Sequence, residues 1–386
     1  MILSYKYRLY PNRAQREMLD RTLDMHRWVY NAALEQRITA YKESGESVRY
    51  VQQWAYFRDL RHENPNTLGA LNASSMQHTM RKLDKAFRAF FKRAKNGEKA
   101  GFPRFKSWKR FKSFEYTYGD GVKAFFDKRG RLMLRLQNIG NIKVKFHRDF
   151  PEGAVIKHVI IKKSLDKWYV IFQIETPDVE FEITTNNPVG IDVGLHHLLA
   201  FSNNTVIENP RWLRHSLRKL RVAQRSLARK KKGSNRRRKA AYRVAKIHEK
   251  IANQRRDFWH KVTRSIVNEF DFIAIEDLSL SFMTRNHHLA LSAHDAGLGM
   301  FRQFLAYKAA EAGSWVTAEN PAYSSQECSG CGEIVEKPLS QRWHSCTCGT
   351  ELDRDVNAAT VILKRGLETV FHPPGLGGQD VTYTVG

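Results

Sequence analysis

The sequence predicts a multidomain α+β protein, and three observations predict it. First, 386 residues exceed one compact core, and the 42% hydrophobic content can build roughly two to four. Second, the texture changes twice. Helical periodicity gives way near residue 100 to alternating strands, and near 188 to buried strands interleaved with helices. Third, all four cysteines, Cys328, Cys331, Cys346 and Cys348, lie within 21 residues. A disulfide framework would spread them through the chain, whereas one cluster reads as a single metal site.

Residues 1–12 open with the strand "LSYKYRLY", stopped at Pro11-Asn12. Residues 13–99 read as helices. "AQREMLDRTLDMHRWVYNAALEQRITAYKESG" carries Met18, Leu19, Leu23, Trp28, Val29 and Ala33 in helical rhythm, with Gly45 as its stop. "SSMQHTMRKLDKAFRAFFKRAKNG" places Met76, Met80, Leu83, Phe87 and Phe90 on one face, a basic face opposite, and Gly97 at its end. Residues 100–184 alternate apolar and polar positions in "RLMLRL", "NIKVKF", "HVIIKK" and "KWYVIFQIE", which suits a small β barrel or sandwich. The preceding "GFPRFKSWKRFKSF" mixes aromatics with five Lys and Arg, Arg104 and Lys106 among them. It is either an aromatic barrel edge with solvated lysines or a surface that stacks on and neutralises nucleic acid.

The acidic stretch 175–188 reads as a linker. Residues 185–371 then begin with "VGIDVG", a short buried strand, followed by two meander strands, "HHLLAFS" and "NTVIE". Residues 211–261 form a helical hairpin with "KKKGSNRRRK" at its bend. It holds 20 Lys or Arg against two acids, Glu249 and Asp257. Leu213, Leu217, Leu220 and Leu227 stripe one helix; Val244, Ile247 and Ile251 stripe the other. Charge this one-sided repels itself unless a polyanion neutralises it, which makes Arg236, Arg237 and Arg238 candidate RNA contacts. "FDFIAIEDLSL" is a buried strand, "GMFRQFLAYKAAEAG" a helix, "SWVTAEN" a strand, and "RDVNAATVILKRG" a helix ended by Gly366. The Pro- and Gly-rich tail 372–386 reads as unordered.

The formal net charge of +26 points to nucleic acid as partner rather than to a fold. No apolar run reaches transmembrane length, and the N-terminus lacks a signal-peptide core, so a cytoplasmic protein is expected. The oligomeric expectation is a monomer.

Two groups of residues carry chemistry. The spacing C-x2-C, fourteen residues, C-x-C suits one tetrahedral four-thiolate zinc within 321–352, structural because no position is left for water. Gly330, Gly332 and Gly349 permit the tight turns. The second group is acidic. Asp192 ends one buried strand, Glu276 ends another, and Asp355 begins a helix. Singly, each has an ordinary reading as a turn residue, a loop charge or a helix cap, and Asp353 competes for the cap. Together, three convergent carboxylates can hold two Mg²⁺ about 4 Å apart, for phosphodiester hydrolysis. The order strand–Asp, hairpin, strand–Glu, helix–Asp is that of the RNase H fold.

"YRLYPNRAQ", "GFPRFK", "GIDVG", "IEDL", "DAGLGMFRQFLAYKA", "SSQECSGCG" and "DRDVNAA", in this order and over nearly the whole chain, resemble the motif series of the TnpB family. These are transposon-encoded RNA-guided DNA endonucleases related to type V CRISPR effectors. The resemblance implies a helical recognition lobe, residues 13–99, inserted in a wedge-like β barrel of residues 1–12 and 100–184. A RuvC nuclease domain with an inserted zinc knuckle would follow. It implies Asp192, Glu276 and Asp355 as catalytic metal ligands, with Asp353 supporting, and a guide RNA and double-stranded DNA as partners. The departures are the C-x-C pair, tighter than the usual C-x2-C, and the short, unmatched tail. Polar side chains on a helix can reach base edges, so Tyr50, Ser74, Ser75 and Gln77 are the candidates to read a motif beside the target, although Ser74 and Ser75 equally suit a helix cap. A guided repressor without cleavage and a transposase acting directly in strand exchange are the competing functions. The intact acid set disfavours the first, and the lack of a tyrosine nucleophile motif with paired histidines disfavours the second.

Overall fold

Strand β1 (Ile2–Tyr10) buries Leu3, Tyr5, Tyr7 and Leu9 on one face, the period of two expected of a half-buried strand. It belongs to the first of two units, Met1–Asp178 and Val179–Gly386, into which the computed structural model divides. The structure describes residues 1–177, 182–278, 280–338 and 341–371. The tail 372–386, read as unordered, lies outside the described residues, as does part of the 175–188 linker.

Helices α1 (Arg13–Ser44), α2 (Tyr50–Glu63) and α3 (Ala73–Lys95) follow β1. Asn12 and Gln15 close a reciprocal capping box at the start of α1, and Gly45, at φ 67°, ends it as expected. The cap of α3 is Asn72, whose side chain accepts from the Ser75 N–H at 2.9 Å. Ser74 and Ser75 are therefore not the cap; they lie inside the first turn. Six further strands complete the unit: β2 (Ser113–Thr117), β3 (Val122–Phe126), β4 (Leu132–Leu136), β5 (Gly140–Lys145), β6 (Val155–Ser164) and β7 (Lys167–Glu175).

These strands form an open antiparallel sheet in the order β2-β6-β7-β1-β5-β4-β3, not the closed barrel expected. β1 pairs with β7 from Ile2 to Leu9 but with β5 only from Arg8 to Tyr10. At the β2 end, helices pack on both faces of the strand. The His26 ring of α1 stacks on Phe114 at 5.0 Å, and on the opposite face of β2 His78 of α3 bonds Thr117 at 2.9 Å.

The second unit carries a sheet in the order β10-β9-β8-β11-β12. Its strands are β8 (Pro188–Asp192), β9 (His197–Phe201), β10 (Val206–Glu208), β11 (Phe272–Glu276) and β12 (Trp315–Glu319). β8, β9 and β10 are antiparallel, while β11 lies parallel to both β8 and β12. Between β10 and β11 run α4 (Trp212–Ala228) and α5 (Asn235–Glu269), so the second hairpin helix continues past residue 261. α6 (Leu280–Arg285), α7 (His287–Ala296) and α8 (Leu298–Ala312) link β11 to β12. The hairpin β13 (Trp343–Ser345) and β14 (Glu351–Asp353) leads directly into α9 (Arg354–Phe371).

The sheet is buried on both faces. Val189, Ile191, Ile273 and Ile275 pack with Trp259, Ile266, Phe301 and Leu305 from α5 and α8. Phe272 and Ala274 face Ile362 of α9 on the other side. Two glycines set how closely α9 approaches. A Cβ at Gly190 of β8 would lie 1.9 Å from the Ala359 carbonyl oxygen, and one at Gly366 would lie 2.7 Å from Ala274 Cβ. Gly366 was expected to end the helix. Instead α9 runs through it to Phe371, because that position must lack a side chain to seat on β11 and β12. No helix among the described residues is long and apolar enough to cross a membrane.

Candidate active site and metal centres

Asp192 is the last residue of β8 and Glu276 the last of β11. Because these strands are parallel neighbours, with Ile191 opposite Ile275, their carboxyl ends emerge side by side. Asp355 is the second residue of α9, which the Gly190 contact draws against β8. All three acids line one cleft of about 390 Å³.

The cleft concentrates negative charge. Glu276 and Asp355 are buried, and the Glu276 carboxyl is hydrogen-bonded to Asp192. Asp192 keeps partial solvent exposure. Even so, desolvation by the surrounding protein and the adjacent charges of Glu276 and Asp355 hold its carboxyl well above the usual range. Burial also raises Glu276, against the opposing hydrogen bond from Ser324, whose hydroxyl donates to Oε1 at 2.6 Å. Oxygen donors this crowded suit a hard divalent cation, which would offset their mutual repulsion. Arg342 and Arg354 stand 3.5 and 3.8 Å from Asp355 Oδ1.

Asp353 has a different task. Its Oδ1 accepts from the backbone N–H of Asp355 at 2.8 Å and of Val356 at 3.4 Å, so it caps α9. It does not line the cleft that holds the three acids.

The cysteines immediately precede Asp353 and Asp355 in sequence. Cys346 and Cys348 occupy the turn between β13 and β14, and the ligand atoms of all four cysteines lie within 4.8 Å of one another. The pairs Cys328–Cys348 and Cys331–Cys346 have Sγ atoms 3.6 Å apart. Thiolates on one zinc at about 2.3 Å are separated by about 3.7 Å, so the donor set fits a tetrahedral ion. The tight C-x-C half fits because Gly349 takes φ 88° and donates to the Cys346 carbonyl at 3.0 Å. Four bare thiolates would repel one another. Cys331, although the Glu333 N–H favours its thiolate, is pushed up to about 12 by desolvation and by the adjacent cysteines.

The knuckle is joined to α9 by side chains the sequence reading did not single out. Asn357, fully buried, accepts from the Ser329 N–H at 2.9 Å and donates to the Glu327 carbonyl at 2.6 Å. Arg365 donates to the carbonyls of Asn320 and Ala322 at 2.8 and 2.9 Å. The same segment carries Ser324 to Glu276. Asn357 lies inside the quoted "DRDVNAA" and Ser324 inside "SSQECSGCG", but their partners are remote in sequence. His196, Arg342 and Arg354 also line the cleft unforeseen.

The candidate nucleic-acid residues divide. Tyr50, Ser74 and Gln77 are half-buried, with Arg81 over the Tyr50 ring at 5.5 Å. Ser75 is fully buried, and its hydroxyl meets His26 Nε2 at 3.2 Å, so it faces the core and cannot reach a base edge. Arg104 is exposed. Lys106 is pinned through its backbone by Asn31, at 2.8 and 3.0 Å, and its amine lies over Tyr30. In the bend of the basic hairpin, Arg236 and Arg238 are exposed. Arg237 instead donates to the Leu227 and Lys230 carbonyls at 3.0 and 2.9 Å and holds the bend together. The base of the hairpin is docked: buried Asp295 accepts from the N–H groups of Leu213 and Arg214 at 2.8 and 3.1 Å, capping α4.

Three family models match parts of the chain. A family model described as a probable transposase matches residues 171–287, a Cas12f1-like TNB domain model matches 299–362, and a helix-turn-helix domain model matches 1–46. A Streptomyces pristinaespiralis protein is 36% identical over 369 residues, covering 94% of this chain and 89% of its own. InsQ of Escherichia coli K12 is 30% identical, covering 94% and 92%. Both are provisionally named RNA-guided DNA endonucleases. The fold is similar to that of a Cas12f1 chain solved with sgRNA and target DNA, at a TM-score of 0.63 and 15% identity, over 90% of this chain and 82% of that one.

Proposed function

The chain belongs to the TnpB family, and on that premise we propose that it is an RNA-guided DNA endonuclease of a transposon, acting in the cytoplasm. It would carry a guide RNA transcribed from the transposon end and cut matching double-stranded DNA beside a short adjacent motif. The guide reads sequence by base pairing, while the protein reads the motif and the duplex shape. The observation that carries the proposal is the meeting of Asp192, Glu276 and Asp355, from three separate elements, in one cleft. The strand order β10-β9-β8-β11-β12 supports a RuvC-type, RNase H-like nuclease domain.

Asp192, Glu276 and Asp355 would hold two Mg²⁺ ions. When bound, these ions supply an activated water and stabilisation of the leaving oxygen. The chain's own residues set the geometry. The Ser324 hydroxyl occupies one lone pair of Glu276 Oε1 and fixes the carboxylate's rotation. Arg342, exposed at the rim beside Asp355, is placed to meet a DNA phosphate. Asp353 holds the first turn of α9, and the thiolate zinc and Asn357 hold the segment before it.

Cys328→Ser tests that last link. The variant should contain about one zinc fewer per chain than wild type. Cleavage should fall about 10²-fold, the scale of a 1 Å misplacement. Full activity without the thiolate zinc would remove the knuckle from the account.

The basic hairpin is proposed to face the guide RNA or the RNA–DNA heteroduplex. Its phosphate contacts release counterions, and each lost contact should lower the slope of log affinity against log salt by roughly 0.7 to 0.9. Arg236→Ala with Arg238→Ala should therefore lower the slope with no change in the adjacent motif. Arg237→Ala should destabilise the bend instead. Identical slopes for wild type and double variant would leave the bend in solvent. Tyr50, Ser74 and Gln77 are proposed to face the adjacent motif, and Arg104 with Lys106 the RNA. The experiment that tests the function is sequencing of the RNA that co-purifies with the protein. A discrete transposon-end transcript is expected; only bulk cellular RNA would count against it.

A further inference from the structure

A group of metal-competent side chains in the first unit plays no part in the function above. His78 of α3, Glu115 of β2 and His158 of β6 bring one ligand atom each to within 4.8 Å of one another. His78 Nδ1 lies 3.7 Å and His158 Nδ1 3.4 Å from Glu115 Oε1. Ligands on a tetrahedral zinc at roughly 2.0–2.2 Å are about 3.3–3.6 Å apart, so both histidine-to-glutamate distances already stand near an edge of that polyhedron, and the histidine pair lies within 4.8 Å. We propose that His78, Glu115 and His158 form a second divalent-cation site of the zinc class, which clamps α3 to the β2–β6 edge of the sheet.

Several independent features fit this assignment. The Nδ1 atom of His158 is buried and, among the described residues, makes no well-aligned hydrogen bond despite Glu115 Oε1 at 3.4 Å, a cost a bound metal would remove. The register of β6 against β7 shifts between Ile156 and His158, a bulge beside the histidine that would serve as ligand. The other ring nitrogen of His78, Nε2, lies 2.9 Å from Thr117 Oγ1, the outer partner that fixes which nitrogen is free to ligate. Side-chain exposures of 11%, 33% and 38% for His78, Glu115 and His158 leave an entry path from solvent and room for a water ligand. The contrast with the nuclease cleft is one of donor type: imidazoles select zinc-class ions, whereas an all-carboxylate set selects magnesium.

The consequence is local. α3 carries Ser74 and Gln77 within one turn of His78, so an ion here would stiffen the helix proposed to face the adjacent motif. The site itself does not depend on that reading.

The test is zinc stoichiometry in the full-length protein, by chelator competition and elemental analysis, for wild type, His158→Ala and Glu115→Gln. Wild type should bind about two equivalents, and each variant about one, retaining the four-thiolate ion. Added zinc should raise the thermal midpoint of wild type more than that of either variant, while the zinc-free midpoints agree. His158 is accessible enough for its loss to be tolerated by the fold, and Glu115→Gln keeps the shape, so a folding defect is separable by circular dichroism. A single equivalent in wild type, or a second one that survives in both variants as adventitious binding to other histidines, would overturn the site.

Discussion

Asp192→Ala abolishes DNA cleavage and leaves guided DNA binding intact. This is the expected result because the Asp192 carboxylate lines the cleft shared with Glu276 and Asp355, where its other partners are only the Val193 N–H and the charge of Arg354 among the described residues. The loss should exceed the roughly 10- to 100-fold typical of removing an outer partner of a metal site. Asp355→Ala should match it. Asp353→Ala should behave differently, since its side chain caps α9. The loss of a cap is worth about 1 kcal/mol of stability, with cleavage reduced but retained. The pair therefore separates ligand from cap. Inactive Asp353→Ala beside active Asp355→Ala would show that the third ligand has been assigned to the wrong aspartate.

Gly190→Ala should be as damaging as the loss of a ligand, although it touches no chemistry. The new methyl would sit 1.9 Å from the Ala359 carbonyl oxygen and 2.8 Å from the Leu363 N, both backbone atoms of α9. A flexible side chain could swing away, but a helix backbone has to move as a body. Overpacking of a core typically costs 1–3 kcal/mol, and here about 3 kcal/mol is expected because the obstacle is backbone. For a unit of this size that corresponds to a fall of about 6–12 °C in the thermal midpoint. Displacing α9 also displaces Asp355, so cleavage should drop in parallel. Gly366→Ala meets side-chain atoms at 2.7 and 2.9 Å and should cost less. A Gly190→Ala protein with wild-type stability and activity would contradict the close packing of α9 on β8.

What was legible in the sequence was what short-range pattern encodes. Asp192 and Glu276 could be placed because each ends a short apolar run, and in a parallel pair such ends must meet. The cysteine spacing carries its own geometry. For these reasons the acids and the cysteines could be singled out as candidates. Barrel closure was misread because alternation marks strands but not which edges pair: β2 and β3, neighbours in the chain, end up as the two open edges of the sheet. Gly366 was misread because a glycine that ends a helix and one that seats a helix on a sheet look alike until β11 and β12 are in place. Ser75 was misassigned since its partner, His26, is 49 residues away. Arg237 looked like its neighbours Arg236 and Arg238, and only the folded bend shows that its guanidinium is committed to the carbonyls of Leu227 and Lys230. Ser324 and Asn357 lie inside quoted motifs, but their partners, Glu276 and the knuckle backbone, are remote in sequence.

The central claim is that this chain cuts DNA under the direction of a bound RNA at the Asp192–Glu276–Asp355 centre. The most direct measurement is cleavage of a plasmid by purified protein with its co-purifying RNA, with RNA removed, and with the target scrambled while the adjacent motif is kept. The account predicts cutting only when the RNA is present and the target matches it. Cutting that persists without RNA, or that ignores the scrambled target, would contradict it.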